Sequence, residues 1–360
     1  MTRRERLTRC YCHGELDRPG VYSRTGFPAD DPTYDQLKAY LKEFTELKES
    51  WPGRQFEPFP PTDTRVVHYS EDWERHVEIV HTPEGDLTCS RLHSLTGQPG
   101  LHETFLISSA EEARRFLSLP LPEIDGDPSG FFEADRKVGD RGIAEVSLGF
   151  NPAGTVAELC GSENFALMSV TDRDVLHELC ERQLHILMKT LDFLLDAGVG
   201  PFFSMLGQEY IVPPLHGPED FADFNTRYDK PIIDRIHESG GRIHIHCHGS
   251  IKTVFDQFVE MGTDVLHPFE APPHGDLEPA EARKLAGEKI CLEGNIQINR
   301  MYEAGPEEIK RETEQLIADA FTHSGGLIVS PTASPYIRGE GGTCFPQYRA
   351  LVETVRQCGG

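Results

Sequence analysis

The chain has 360 residues, 38% hydrophobic and 26% charged, which supplies a substantial core and excludes a disordered chain. Its 35 Lys and Arg face 59 Asp and Glu, a formal charge of -24 that repels phosphate backbones and anionic lipid, so no nucleic-acid or membrane partner is expected. The start Met1-Thr2-Arg3-Arg4-Glu5-Arg6 lacks an apolar signal core, no stretch approaches the roughly 20 apolar residues that span a bilayer, and the nine scattered cysteines read as reduced thiols. Together these predict a cytoplasmic protein.

Residues 1 to 140 are irregular and proline-rich, with Trp51-Pro52-Gly53 and Pro58-Phe59-Pro60-Pro61 interrupting helix and central strand alike. Cys10, Cys12 and His13 resemble a metal cluster but fall in a short basic helix, where positions i and i+2 face apart, and are read as structural. Val77 and Ile79, then Leu87 and Cys89, alternate with polar neighbours around Pro83-Glu84-Gly85-Asp86, which predicts a β-hairpin in a lid or cap.

From residue 141 short apolar runs alternate with helices, the signature of repeated βα units. Strands are predicted at Ile143 to Phe150, Pro201 to Leu206, Arg242 to His248, Asp264 to Glu270, Lys289 to Asn295 and Gly326 to Ser330. A capping box at Thr171-Asp172-Arg173-Asp174 opens a helix with Leu176, Leu179, Leu187, Leu191 and Leu194 on one face, ended by Gly198. Further helices start at Pro218, Pro279 and Pro306 and stop near Gly240, Gly287 and Gly325. The fold class this predicts is α/β, a (β/α)8 TIM-type barrel with residues 1–140 as an N-terminal elaboration and 141–360 as the remainder of the single barrel domain.

Such barrels carry their sites in the loops after the strands. The histidine strand Ile243-His244-Ile245-His246-Cys247-His248-Gly249 is the centre of attention, because alternation puts His244, His246 and His248 on one face and Cys247 on the other. Imidazoles on an inward face need hydrogen bonds or a ligated ion, and zinc takes about three protein ligands at a catalytic site. His246 and His248, with Glu209 from the preceding strand end, are the expected zinc ligands; Cys247 and Cys344 rank below them. His267 and His274 stand on adjacent segments as minor contributors. Glu270 and Glu293 are the candidate catalytic carboxylates, or partners that orient a ligand histidine. Tyr210, Asn295 and His244 are expected to contact substrate.

Leu16-Asp17-Arg18-Pro19, Leu292-Glu293-Gly294-Asn295-Ile296 and Gly305-Pro306-Glu307-Glu308-Ile309 resemble, in order and spacing, segments of the uroporphyrinogen decarboxylase superfamily. That superfamily holds both decarboxylases and zinc-dependent methyltransferases that work with corrinoids. The decarboxylases' Arg-Gln-Ala-Gly-Arg-Tyr segment is replaced here by Arg18-Pro19-Gly20-Val21-Tyr22-Ser23-Arg24, so a porphyrinogen's many carboxylates would be poorly held. The methyltransferase branch ligates zinc through a Glu, a His-x-Cys pair and a later Cys. This chain offers Glu209 and His246, but His248 stands in place of the pair's cysteine and Ala333 in place of the later one.

A His/Glu set is harder than a thiolate set and suits polarising oxygen. The function expected is therefore a zinc-dependent methyltransferase, or demethylase, moving a methyl group from a small oxygen-bearing donor to cobalamin on a separate corrinoid protein. The alternatives are a decarboxylase or lyase acting on a small carboxylic acid, and a barrel that only binds a small molecule. A homodimer follows from the resemblance as a further expectation.

Overall fold

A computed structural model describes residues 1–96 and 98–358. Its strands, in chain order, are β1 (Gly20–Val21), β2 (Leu47–Pro52), β3 (Thr62–Ser70), β4 (Trp73–Val80), β5 (Leu87–Ser94), β6 (Leu101–Thr104), β7 (Gly142–Phe150), β8 (Phe202–Leu206), β9 (Arg242–His246), β10 (Val265–His267), β11 (Cys291–Ile296) and β12 (Leu327–Pro331). Eight of them form one parallel sheet in the order β1-β12-β11-β10-β9-β8-β7-β2, and the other four an antiparallel sheet in the order β3-β4-β5-β6. The predicted TIM-like α/β architecture is therefore present, with β1 and β2 drawn from the segment before residue 141.

The parallel sheet curls until its two edges meet. There the Glu46 amide donates to the Val21 carbonyl at 2.9 Å, and the Glu46 carboxylate accepts from the Val21 amide at 2.7 Å. That carboxylate is fully buried, a costly position for a charge unless it is paired, and Arg6 and Arg18 pair it at 2.7 and 2.9 Å. Asp17 holds the same Arg6 at 2.9 Å. The Leu16-Asp17-Arg18-Pro19 segment thus clamps the seam of the barrel.

The helices obey their sequence signals with three exceptions. The predicted face of the long helix, Arg173–Asp196, is buried at Leu176, Leu179, Leu187, Leu191 and Leu194. Its capping box does not form: Asp172 is the N-cap without a side-chain cap, and Thr171 bonds instead to Leu167 and Asp172. Pro218 opens a single turn, which passes through a π-helical segment, Phe221–Thr226, before Arg227–Glu238. The helix opened by Pro306 stops at Ala320, short of Gly325, where Phe321 turns extended. Pro279 opens Pro279–Ala286, and Gly287 ends it at φ 55°.

The predicted hairpin exists as β4 and β5, within a larger four-stranded cap sheet. Val80 and Leu87, at its inner end, pack with Phe116, Val156 and Leu179 from helices on the barrel's outside. The first helix, Arg3–Tyr11, carries the buried Cys10, while the exposed Cys12 is its C-cap and His13 follows at φ 52°, so the expected helix ends before two of the three. Among the described residues, no helix is long and apolar enough to cross a membrane.

Candidate active site

The histidine strand ends two residues earlier than predicted. β9 stops at His246, so His248 is carried by the loop that follows, and its ring meets that of His246 edge-on at 4.7 Å. Cys247 turns the other way into the apolar layer, fully buried, as alternation requires; burial pushes its thiol up and Glu209 adds to the effect.

β9 and β10 pair in parallel with His246 opposite His267. Their rings stack at 5.0 Å between centroids, Nδ1 to Nδ1 at 2.9 Å, while His267 Nε2 lies 3.4 Å from the Pro331 carbonyl. Arg24, from the segment after β1, sets one guanidinium nitrogen 3.2 Å from His246 Nδ1 and 3.4 Å from His267 Nδ1. Burial, then the positive charge of Arg24, lowers the pKa of both histidines well below the usual range, so both imidazoles are neutral. His248 places its Nδ1 2.9 Å from Glu270 Oε2, and that contact holds Glu270 below the usual carboxylate range against the opposing effect of burial.

Glu209 follows β8 in a turn whose first residue, Gly207, has φ 111°. Its Oε2 accepts from the Gly207 amide at 3.0 Å, and burial raises its pKa while the charges of His248 and Arg24 pull it down. A fully buried network fixes this turn. Gln208 donates to Asp229 at 2.8 Å, Asn225 donates to the Gln208 carbonyl at 3.2 Å, and Asn151 donates to Asp229 at 2.9 Å.

Deeper in the barrel is a second polar layer. Lys48 of β2 pairs with Glu293 of β11 and stands 4.0 Å from Glu145 of β7, while Tyr11 donates to Glu145. His244 Nε2 lies 3.6 Å from Glu293, and neither His244 ring nitrogen has a hydrogen-bond partner among the described residues. Burial raises the pKa of Glu293, opposed by Lys48, and burial with the Lys48 charge lowers that of His244.

The expected residues therefore divide. Glu209, His246, His248 and Glu270 gather at the mouth, with His274 close enough to Glu270 to act on its charge. His244 and Glu293 belong to the layer beneath. Asn295 spends its amide on the Phe269 carbonyl at 2.6 Å, leaving Oδ1 buried without a partner among the described residues. Tyr210 is turned aside, its hydroxyl donating to Glu158. Cys344 lies in the final helix, Gly341–Gln357, bonded to the Gly341 carbonyl and pushed up to about 11 by burial; its polar neighbours are Tyr34, Tyr302 and Tyr348. Arg24, Lys48 and Glu145 were not singled out from sequence. Arg24 follows a two-residue strand with no periodicity to read, and Lys48 sits inward on a strand otherwise rich in polar residues.

Residues 149–357 match the family described as uroporphyrinogen decarboxylase (URO-D), more than half of the chain. The chain belongs to the uroporphyrinogen decarboxylase family. Among solved structures, a methyltransferase from Methanosarcina mazei is 14% identical over 99% of both chains, with a TM-score of 0.62. At that identity the likeness shows the shared fold. A B12-independent methionine synthase from Shewanella sp. W3-18-1, in complex with selenomethionine, is 12% identical over 82% of this chain and 76% of its own, with a TM-score of 0.42, too remote to bear on function. No curated protein matches the chain.

Members of the methyltransferase branch of this family bind zinc, and the donors at the mouth suit that ion in kind. His248 and His246 each set Nδ1 beside a neighbour, Glu270 and His267, which leaves Nε2 as the ring nitrogen for a ligand; such outer partners are what ligating histidines need. Among the described residues no three donors already stand at ligand distance.

Proposed function

We propose that this family member is a zinc-dependent methyltransferase acting on a small methyl donor with an oxygen leaving group, and that the methyl group passes to a corrinoid on a separate protein. The observation that carries the reading is the pairing of His248 with Glu270 and of His246 with His267, which orients two imidazoles at the barrel mouth where the Glu209 carboxylate also lies. Glu209, His246 and His248 would hold the ion. When bound, zinc supplies a Lewis acid that polarises the donor's oxygen and stabilises negative charge on it. Glu270 keeps His248 in one tautomer and orientation, and burial, reinforced by the Arg24 charge, keeps His246 and His267 unprotonated, so neither ring loses its lone pair to a proton at neutral pH.

The test has two arms. His246→Ala should lose about one zinc per chain relative to the parent without unfolding. Mixing the parent with cob(I)alamin and a panel of methyl ethers should give the methylcobalamin spectrum. Unchanged zinc in the variant, or no spectral change with any donor, overturns the proposal.

A second reading, a decarboxylase of a small carboxylic acid, is favoured by Arg24 alone. Its guanidinium lies at the mouth beside two neutral rings, where a carboxylate would find a charge-assisted partner. Release of CO2 from such acids, lost in Arg24→Met, would support it over methyl transfer.

A further inference from the structure

The cap sheet ends in two unequal edges. β6 is four residues long and offers little to a neighbour, whereas β3 runs for nine, Thr62–Ser70, and among the described residues only β4 pairs with it. An edge strand presents a row of unpaired amide and carbonyl groups, and folded chains ordinarily blunt such an edge by shortening it, placing Pro or Lys on it, bulging it or covering it. β3 contains neither Pro nor Lys. Its irregularity is confined to one end, between His68 and Ser70, and every residue from Thr62 to Tyr69 is exposed.

The side chains along this edge would admit a neighbour. Val66 and Val67 are 54% and 48% exposed although consecutive residues point to opposite faces, so neither face is covered here. The two full charges of the strand, Asp63 and Arg65, cancel, in a chain whose formal charge is -24. A net charge of that size sets two copies of the chain against each other, but not across a strand that is itself neutral.

The complement of an open strand edge is another extended strand, and a second copy of the chain supplies one of equal length. A twofold axis through Val66, the central residue of β3, brings the whole strand into antiparallel register with itself. Val66 then opposes the partner's Val66, Arg65 the partner's Val67, Thr64 the partner's His68, and Asp63 the partner's Tyr69. No charge meets its own sign, the juxtaposition that would weaken such a pair. We propose that β3 pairs in this way with β3 of a second copy, joining the two cap sheets into one continuous antiparallel sheet. The pairing depends on neither zinc nor methyl transfer.

The experiment uses the full-length chain. Sedimentation equilibrium should show a dimer whose share grows with protein concentration. Val66→Lys sets two ammonium groups opposite each other and should weaken dimerisation at least about tenfold, while Leu101→Lys on the short edge should leave it unchanged. The melting temperature of Val66→Lys at a concentration where the parent is monomeric should equal the parent's, which separates lost pairing from lost fold. Directly opposed residues of an antiparallel pair have Cα atoms about 4.5 to 5.5 Å apart, within disulfide reach. Diamide should therefore convert Val66→Cys, and not the parent, to a covalent dimer linked through position 66, as read by mass spectrometry of the joined peptides, even where another surface also associates copies. A monomer at every concentration, a dimer that Val66→Lys leaves intact, or no link through position 66 overturns the proposal.

Discussion

His248 Nδ1 and Glu270 Oε2 lie 2.9 Å apart, joining the loop after β9 to the end of the β10 segment. Because Glu270 is the partner that fixes His248, Glu270→Gln should leave the fold intact while weakening zinc binding at the mouth by about 10- to 100-fold. Competition titration with a zinc chelator measures this. Affinity equal to the parent's would show that Glu270 does not orient a ligand.

The turn bearing Glu209 depends on Gly207. Its φ of 111° disfavours any side chain, and a Cβ there would stand 2.6 Å from Asn151 Oδ1. Gly207→Ala should cost more than about 1 kcal/mol in urea unfolding and weaken the metal site with it. A stable variant with unaltered zinc affinity would mean that the turn adapts.

Lys48 compensates the buried Glu293 carboxylate, and both side chains are almost wholly enclosed. Lys48→Met should destabilise the protein by about 3 to 5 kcal/mol, since it strands a buried acid. Adding Glu293→Gln should recover much of that loss. Denaturant midpoints of the two variants decide the matter, and no recovery in the double variant would argue against the pairing.

Burial raises Asp229 to about 7, opposed by hydrogen bonds from Gln208 and Asn151. Folded protein therefore keeps a proton that the unfolded chain releases near the ordinary aspartate value. The stability this group contributes is complete below that value and is lost as pH rises through about 7. Unfolding free energies taken from pH 5 to 8 should fall over this window in the parent, and the fall should be shallower in Asp229→Asn. Identical profiles would remove Asp229 as the cause.

Much of the barrel was legible because its strands are apolar runs bounded by Pro and Gly, a local signal. Strand ends were legible only approximately: nothing local distinguishes Cys247 and His248 as loop residues, since the strand ends where its hydrogen-bonded neighbour β10 gives way. Among the metal candidates, His246 and His248 came from strand alternation and Glu209 from its place at the preceding strand end. Arg24 and Lys48 did not, because each meets its partners across more than 200 residues of chain, and no periodicity records such a contact. The same holds for Tyr210, whose choice of Glu158 over the mouth is decided by tertiary packing.

The seam at Glu46 and Val21 bears on how the molecule reaches this form. β1 pairs with β12 through Gly20 with Ile328 and Val21 with Val329, so its neighbour in the sheet is made about 300 residues later. During synthesis at about 5 to 20 residues per second, the N-terminal segment waits tens of seconds before that edge exists. Over that interval Arg6, Arg18 and Glu46 can pair with one another while the strand edges stay open. Closure is thus a late, long-range event, and a chain cut short of β12 would expose unpaired edges to other nascent chains.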